Sequence, residues 1–269
     1  MPATRDGFQL MDGDLEIVRF AHELRHATLE NLAAVCGRSY TRVHKRVEKL
    51  TDRRYLVCLT RRPQKHVYAV GSEGAALLVQ NGLAPRELGE KRIRHNELKE
   101  IFIKHTLFVG AIHARLIILT RDSPIKLVEW EEGPSLWDTV TARDEAGRNA
   151  AIPVRPDARF RVQHTGLPEG RNRINFFLEA DRATMSHQRM KEKVRGYIAY
   201  FQQQKHTKKY PGMKLFQVAT VTETKGRAKE LANTFRGMME PAWLLSYPVI
   251  AFEDLALEAL ISTGATTRT

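Results

Sequence analysis

Cysteine is almost absent: the 269 residues hold two, Cys36 and Cys58. Two thiols cannot build a disulfide scaffold, and neither stands at metal-ligand spacing. Structural zinc is therefore not expected, and a reducing cytoplasm is the expected setting. No apolar run approaches about 20 uninterrupted residues, which argues against a membrane span and against a membrane partner. Residues 1–14 lack the apolar core of a signal peptide. The nearest approach to a phosphate-binding loop, Gly71-Ser-Glu-Gly74, is not followed by lysine, which disfavours ATP-dependent chemistry.

What the chain has in excess is positive charge. Lys and Arg number 43 against 31 Asp and Glu, a formal net charge of +12. Hydrophobic residues at 42% and charged residues at 28% supply a sizeable core, and the length fits one large or two modest domains. The basic surplus is concentrated. Between Cys36 and His66 lie ten basic residues (Arg38, Arg42, Lys45, Arg46, Lys49, Arg53, Arg54, Arg61, Arg62, Lys65) and two acids (Glu48, Asp52). That is +8 of the +12. Such a patch attracts phosphate and releases condensed counterions on binding.

The first third reads as three helices and a hairpin. Leu15, Val18, Ala21 and His22 give helical spacing from about residue 12. Thr28 is placed to cap a short helix over 29–35, and Gly37 supplies a turn. A third helix is predicted over 39–52, with Val43, Val47 and Leu50 as its apolar stripe. Tyr40, Arg42, His44, Lys45 and Arg46 lie between those positions. One face is aliphatic and the other cationic, as a helix that packs inward while reading the major groove requires. Two β-prone runs, 55–60 and 66–70, flank Arg61, Arg62 and Lys65 as a basic hairpin tip. Helix, helix, basic helix and basic hairpin together describe a winged helix-turn-helix over 1–82. The alternatives are a solvated charged helix in some other helical domain, or a winged helix that binds protein.

Another helix is predicted over 72–80, and 83–89 reads as a linker. A long helix follows to about 120, its wide apolar face marked by Leu98, Ile101, Phe102, Phe108, Val109, Ile112 and Leu116. Strands are expected at 125–130, 152–162, 174–180, 214–220 and 247–252, and helices at 186–204 and 226–237. Residues 138–151 read as a loop or insertion, and 259–269 as a disordered tail. The order implies an α+β or α/β domain over 90–258 with a mixed sheet and helices on its faces.

Asp157 lies eleven residues before Pro168, and Glu179 eleven after it. A hairpin centred on that turn sets the two carboxylates opposite each other, and Asp181 shares the face of Glu179. Three converging acids repel unless neutralised. A divalent cation is one solution and phosphodiester hydrolysis its usual use. Pairing with Arg155, Arg159 or Arg182 is the other. The ten histidines form no His-x-His pair, so the metal motif of a tyrosine relaxase is missing. Tyr197 and Tyr200 fall at helical spacing with Ile198 and Phe201 and read as core. His105 and His113 read as packed or surface residues.

The runs Val154-Arg-Pro-Asp157-Ala-Arg-Phe160, Phe176-Phe-Leu-Glu179-Ala-Asp181-Arg182 and Lys193-Val-Arg-Gly-Tyr197 resemble the replication-relaxation family of plasmids and mobile elements. So does Val67-Tyr-Ala-Val-Gly-Ser-Glu-Gly74. The resemblance covers most of the chain. It implies an N-terminal winged helix and a restriction-endonuclease-like second domain. In that fold a Pro-Asp and an acid-x-Lys hold magnesium. Pro156-Asp157 and Glu179 match, while Asp181 stands where the lysine is expected. Lys193, and less readily Lys191, would then reach in from the following helix.

The resulting expectations are specific. Arg38, Ser39, Tyr40, Arg42, His44, Lys45 and Arg46, with Arg61, Arg62 and Lys65, contact double-stranded DNA. Asp157, Glu179, Asp181 and Lys193 form the catalytic set. The first three of these bind magnesium, which is called for only if the site is catalytic. A homodimer and replication or mobilisation proteins stay open as partners. Function divides between a replication, relaxation or mobilisation factor with nicking activity, a non-catalytic regulator or initiator with a degenerate nuclease domain, and an independent magnesium-dependent endonuclease.

Overall fold

A computed structural model describes residues 8–60, 66–89, 100–143, 147–236, 238 and 247–265. The chain divides into two compact units, Met1–Ile118 and Leu119–Thr269. Together they are α+β, with a mixed sheet and helices.

The first unit begins with α1 (Asp12–Glu23), α2 (Leu29–Cys36) and α3 (Tyr40–Asp52). Thr28 caps α2, its hydroxyl oxygen accepting from the Asn31 amide at 3.3 Å. Gly37 ends α2 at φ 63°, ψ 32°, a left-handed conformation that glycine adopts without a Cβ penalty. Val43, Val47 and Leu50 face inward, none more than 1% exposed. They join Ile17, Val18, Leu24 and Leu32 in one core, each side chain contributing about 1.5–3 kcal/mol on burial. Strands β1 (Leu56–Thr60) and β2 (Val67–Val70) pair antiparallel, and Ala27 bridges to Tyr68 through two backbone hydrogen bonds of 2.9 and 2.8 Å. Helix α4 (Ser72–Gln80) follows. Because the Thr28 cap satisfies an otherwise orphaned amide, Thr28→Ala should cost about 1 kcal/mol of unfolding free energy in urea titration.

The division between the units falls after Ile118, within helix α5 (Glu100–Arg121). Gly110 lets α5 approach the turn after α1: a Cβ there would meet the Leu24 and His26 carbonyl oxygens at 3.0 and 3.1 Å. Burial pushes the His113 imidazole down to about 3, against a hydrogen bond that it donates to the Glu23 backbone carbonyl, so it is a neutral core histidine. Phe102, assigned to the apolar face by spacing, is 56% exposed, while Leu98 lies outside the described residues and Ile101 outside those whose side chains are described. On length and composition alone Phe102–Arg121 could cross a membrane. In the folded chain, Ala114, Ile117 and Ile118 pack into the core of the first unit.

The second unit is built on a five-stranded sheet. Its strands are β3 (Ile125–Glu132), β6 (Ala158–His164), β7 (Arg173–Asp181), β8 (Gln217–Thr222) and β9 (Val249–Ala251), adjacent in that order. The first three run antiparallel and the last two add in parallel, because helical crossovers return the chain to the same edge. Those crossovers are α6 (His187–Gln202) with the short α7 (Lys205–Lys209), and α8 (Lys225–Arg236). Two expectations are corrected. Residues 138–143 and 149–151 are strand rather than loop, and 152–162 is not one strand. Instead β4 (Asp138–Arg143) and β5 (Asn149–Val154) form a separate antiparallel hairpin, and the chain breaks at Arg155–Asp157 before β6. Val140, Ile152 and Val154 of this hairpin pack into a core with Phe177, Val194, Tyr197 and Tyr200. The expected tail at 259–269 is also corrected over its first part. Leu257–Ala265 forms α9, with Leu257 and Leu260 buried, while 266–269 lie outside the described residues.

Candidate functional site

Two constellations emerge, one in each unit. In the first, helix α3 turns Arg42, Lys45 and Lys49 to solvent, along with Ser39 and Tyr40. Tyr40 is 48% exposed and stacks on His44 with ring centroids 5.9 Å apart. His44 also approaches Glu48 at 3.7 Å. Between α3 and the β1–β2 hairpin lies an open cavity of about 1100 Å³, lined by Arg42, Lys45, Lys49, Cys58, His66 and Tyr68 among others. Burial pushes the Tyr68 hydroxyl up to about 12, helped by Cys58 and Tyr40, so it remains a neutral donor.

Two cations expected on this face pair with acids of α1. Arg46 turns toward α1, where its Nε donates to Asp14 Oδ1 at 2.7 Å and its Nη2 pairs with Asp14 Oδ2. Asp14 is 1% exposed and also accepts from the Met11 amide at 3.0 Å. The Asp14 hydrogen bond raises the Arg46 guanidinium above its ordinary value. Arg38 donates to Glu16 at 2.8 Å across the same α1–α3 junction, though it stays exposed. The tip cations Arg61, Arg62 and Lys65 lie outside the described residues.

The second constellation sits where β6 and β7 end. Their register pairs Ala158 with Leu178, and its continuation sets Asp157 across from Glu179, as the symmetric turn requires. Asp157 donates its amide to the Leu178 carbonyl at 2.9 Å, and its Oδ2 accepts from the Ala180 amide at 2.8 Å. Glu179 is 3% exposed. One of its oxygens accepts from Tyr197 Oη at 2.6 Å, and the other pairs with Lys193 Nζ. Burial pushes the Glu179 carboxyl up, and Asp157 adds to this while Lys193 pulls it down. Burial would lower the Lys193 ammonium, but Glu179, Asp157 and then Asp181 outweigh it and hold the charge. Tyr197, buried beside that carboxylate, has its hydroxyl raised well above 10.

Asp181 faces a different partner. Its Oδ2 accepts from Arg227 Nε at 2.6 Å, and Arg227 also donates to the Met185 carbonyl at 2.6 Å and contacts His187 Nε2 at 3.0 Å. None of the arginines nominated for the acids takes that role. Arg155 lies over the Trp137 ring, Arg159 pairs with Glu129 and Glu131, and Arg182 pairs with Glu223. Arg227 was not anticipated, although parallel pairing of β7 with β8 brings Asp181 beside Thr222. The segment just after Thr222 is therefore the natural source of a partner. Tyr197 was read as core, and its ring is core, but its hydroxyl completes Glu179.

A model of the family described as Replication-relaxation matches residues 18–215. The chain belongs to the replication-relaxation family. The family match begins within α1 and ends before β8, so it takes in α3, the hairpin and the whole Asp157–Glu179–Lys193 cluster. Arg227 lies beyond the match. No curated protein and no solved structure matches the chain.

The magnesium implied for Asp157, Glu179 and Asp181 needs several carboxylate oxygens aimed at one centre. Here both Glu179 oxygens are committed to protein donors, and Asp181 is turned into an ion pair. Among the described residues no group of three or more His, Cys, Asp or Glu is placed to hold a metal ion. As folded, the donor set does not fit a divalent cation. Lys193 and Arg227 supply the neutralising charge from within the chain.

Proposed function

We propose that the chain is a cytoplasmic duplex-DNA-binding protein that acts in replication, relaxation or mobilisation of a plasmid or other mobile element. The first unit is a winged helix whose α3 enters the major groove, with the β1–β2 hairpin as wing. The observation that carries this reading is the division of α3: Val43, Val47 and Leu50 buried, Arg42, Lys45 and Lys49 exposed beside an open cavity. Phosphate contacts of this kind fix a protein on duplex, and Tyr40 and Arg42, early in the helix, are where base edges are read.

The second unit is a nuclease-like domain whose acids are neutralised internally. The pairing of Glu179 with Lys193 and Tyr197, and of Asp181 with Arg227, favours a site-specific regulator or initiator that recruits other proteins over a nickase. Retaining a fold does not retain its activity. The test is an incubation of supercoiled plasmid with the full chain and magnesium or manganese, beside Asp157→Ala. The expected outcome is duplex binding unaffected by chelator and no nicked circle from either protein. Metal-dependent nicking lost in Asp157→Ala would establish the nickase instead.

A further inference from the structure

We infer that Trp137, with Arg155 and the cations of α7, is a stacking site for bases of single-stranded DNA, separate from α3. Trp137 follows a short 3₁₀ turn, Pro134–Leu136, and opens β4. Its main chain is held on both sides. Leu136 is 1% exposed, and the Trp137 carbonyl accepts from Lys209 Nζ at 2.7 Å. Lys205 fastens the next residues, pairing with Asp138 at 3.3 Å and donating to the Thr139 carbonyl. The indole nevertheless stays 48% exposed.

An exposed large side chain is ordinary by itself. What surrounds this one is not. The Arg155 guanidinium lies 5.0 Å from the centre of the ring and is itself exposed. Helix α7 reads Lys-His-Thr-Lys-Lys, and Lys208 points to solvent. Of the nearby acids, Asp138 is paired with Lys205 and Glu131 with Arg159. A fixed indole with a stacked guanidinium offers π surface to a base of any identity, and the surrounding cations take the phosphates. Paired bases in duplex hide their faces, so the surface selects unpaired strands. Such strands arise wherever a duplex is opened.

The experiment follows fluorescence anisotropy of a labelled oligothymidylate of about 20 nucleotides with the full chain. Base stacking on an aromatic is worth about 1–3 kcal/mol, so Trp137→Ala should weaken binding between about 5-fold and about 150-fold. Trp137→Phe should retain most of the affinity. Thermal melting is expected to match wild type because the side chain is outside the core. If Trp137→Ala melts early, Arg155→Ala with Lys208→Ala decides the matter, its loss of binding supporting the site and its wild-type affinity overturning it. A wild-type chain that does not bind the oligonucleotide, or a folded Trp137→Ala that binds as wild type, would also overturn the proposal.

Discussion

Lys193→Met is expected to lower the unfolding free energy of the second unit by about 3 kcal/mol, because it strands a buried carboxylate. Glu179 has 3% of its surface exposed and depends on Lys193 and Tyr197 for both oxygens. Methionine keeps the stem of the side chain and removes only the ammonium, so the loss reports charge rather than volume. Glu179→Gln in the Lys193→Met background should recover part of the loss, since the pair then disappears together.

The pH dependence has a definite sign. Burial already raises the Glu179 carboxyl, and losing the lysine removes the main influence that lowers it. A carboxyl whose folded value lies above its unfolded value of about 4.3 favours the folded state fully below that value. The contribution is lost as pH rises through the folded value. Urea titrations should therefore show a larger deficit for Lys193→Met at pH 8 than at pH 5. An equal deficit at both would mean that Glu179 is not the group left unpaired.

Arg42→Ala with Lys45→Ala should reduce duplex affinity by about 150-fold or more at moderate salt, taking at least about 1.5 kcal/mol for each of the two charge-assisted contacts. Both side chains are exposed on α3, so the melting temperature should hardly move. Arg46→Ala is the informative contrast. Its guanidinium is bonded to Asp14, which is 1% exposed, and removing it leaves a buried carboxylate at the start of α1. That variant should melt markedly earlier, with any loss of binding following the loss of fold. If Arg46→Ala melted normally and lost affinity as the double variant does, α3 would be rotated relative to the face assigned to it.

How much of this was visible in the chain depended on whether a residue's neighbour was local. Helix α3 was legible because Val43, Val47 and Leu50 recur at helical spacing between a serine and a charged end. The opposition of Asp157 and Glu179 was legible because the turn at 165–172 is symmetric about Pro168, and register follows from turn geometry. Lys193 could be nominated because one helical crossover returns it over β7.

Arg46 could not be separated from Arg42 and Lys45 by periodicity, since its inward turn is decided by a buried carboxylate on another helix. Arg227 lies 46 residues from Asp181, and only the parallel strand order brings them together. The β4–β5 hairpin was hidden because β4 buries only Val140 and Pro153, although it lies within β5, reads in a sequence as a strand breaker. Helix α9 was masked by the small residues Ser262, Thr263 and Gly264, although Leu257 and Leu260 already stood three apart.

The most direct measurement is the salt dependence of duplex binding, read as the logarithm of affinity against the logarithm of salt concentration. Each phosphate neutralised contributes about 0.9 to the slope. Wild type should fall steeply, and Arg42→Ala with Lys45→Ala should fall less steeply by about 1.8. Identical slopes, or a wild-type affinity indifferent to salt, would contradict the placement of α3 on DNA.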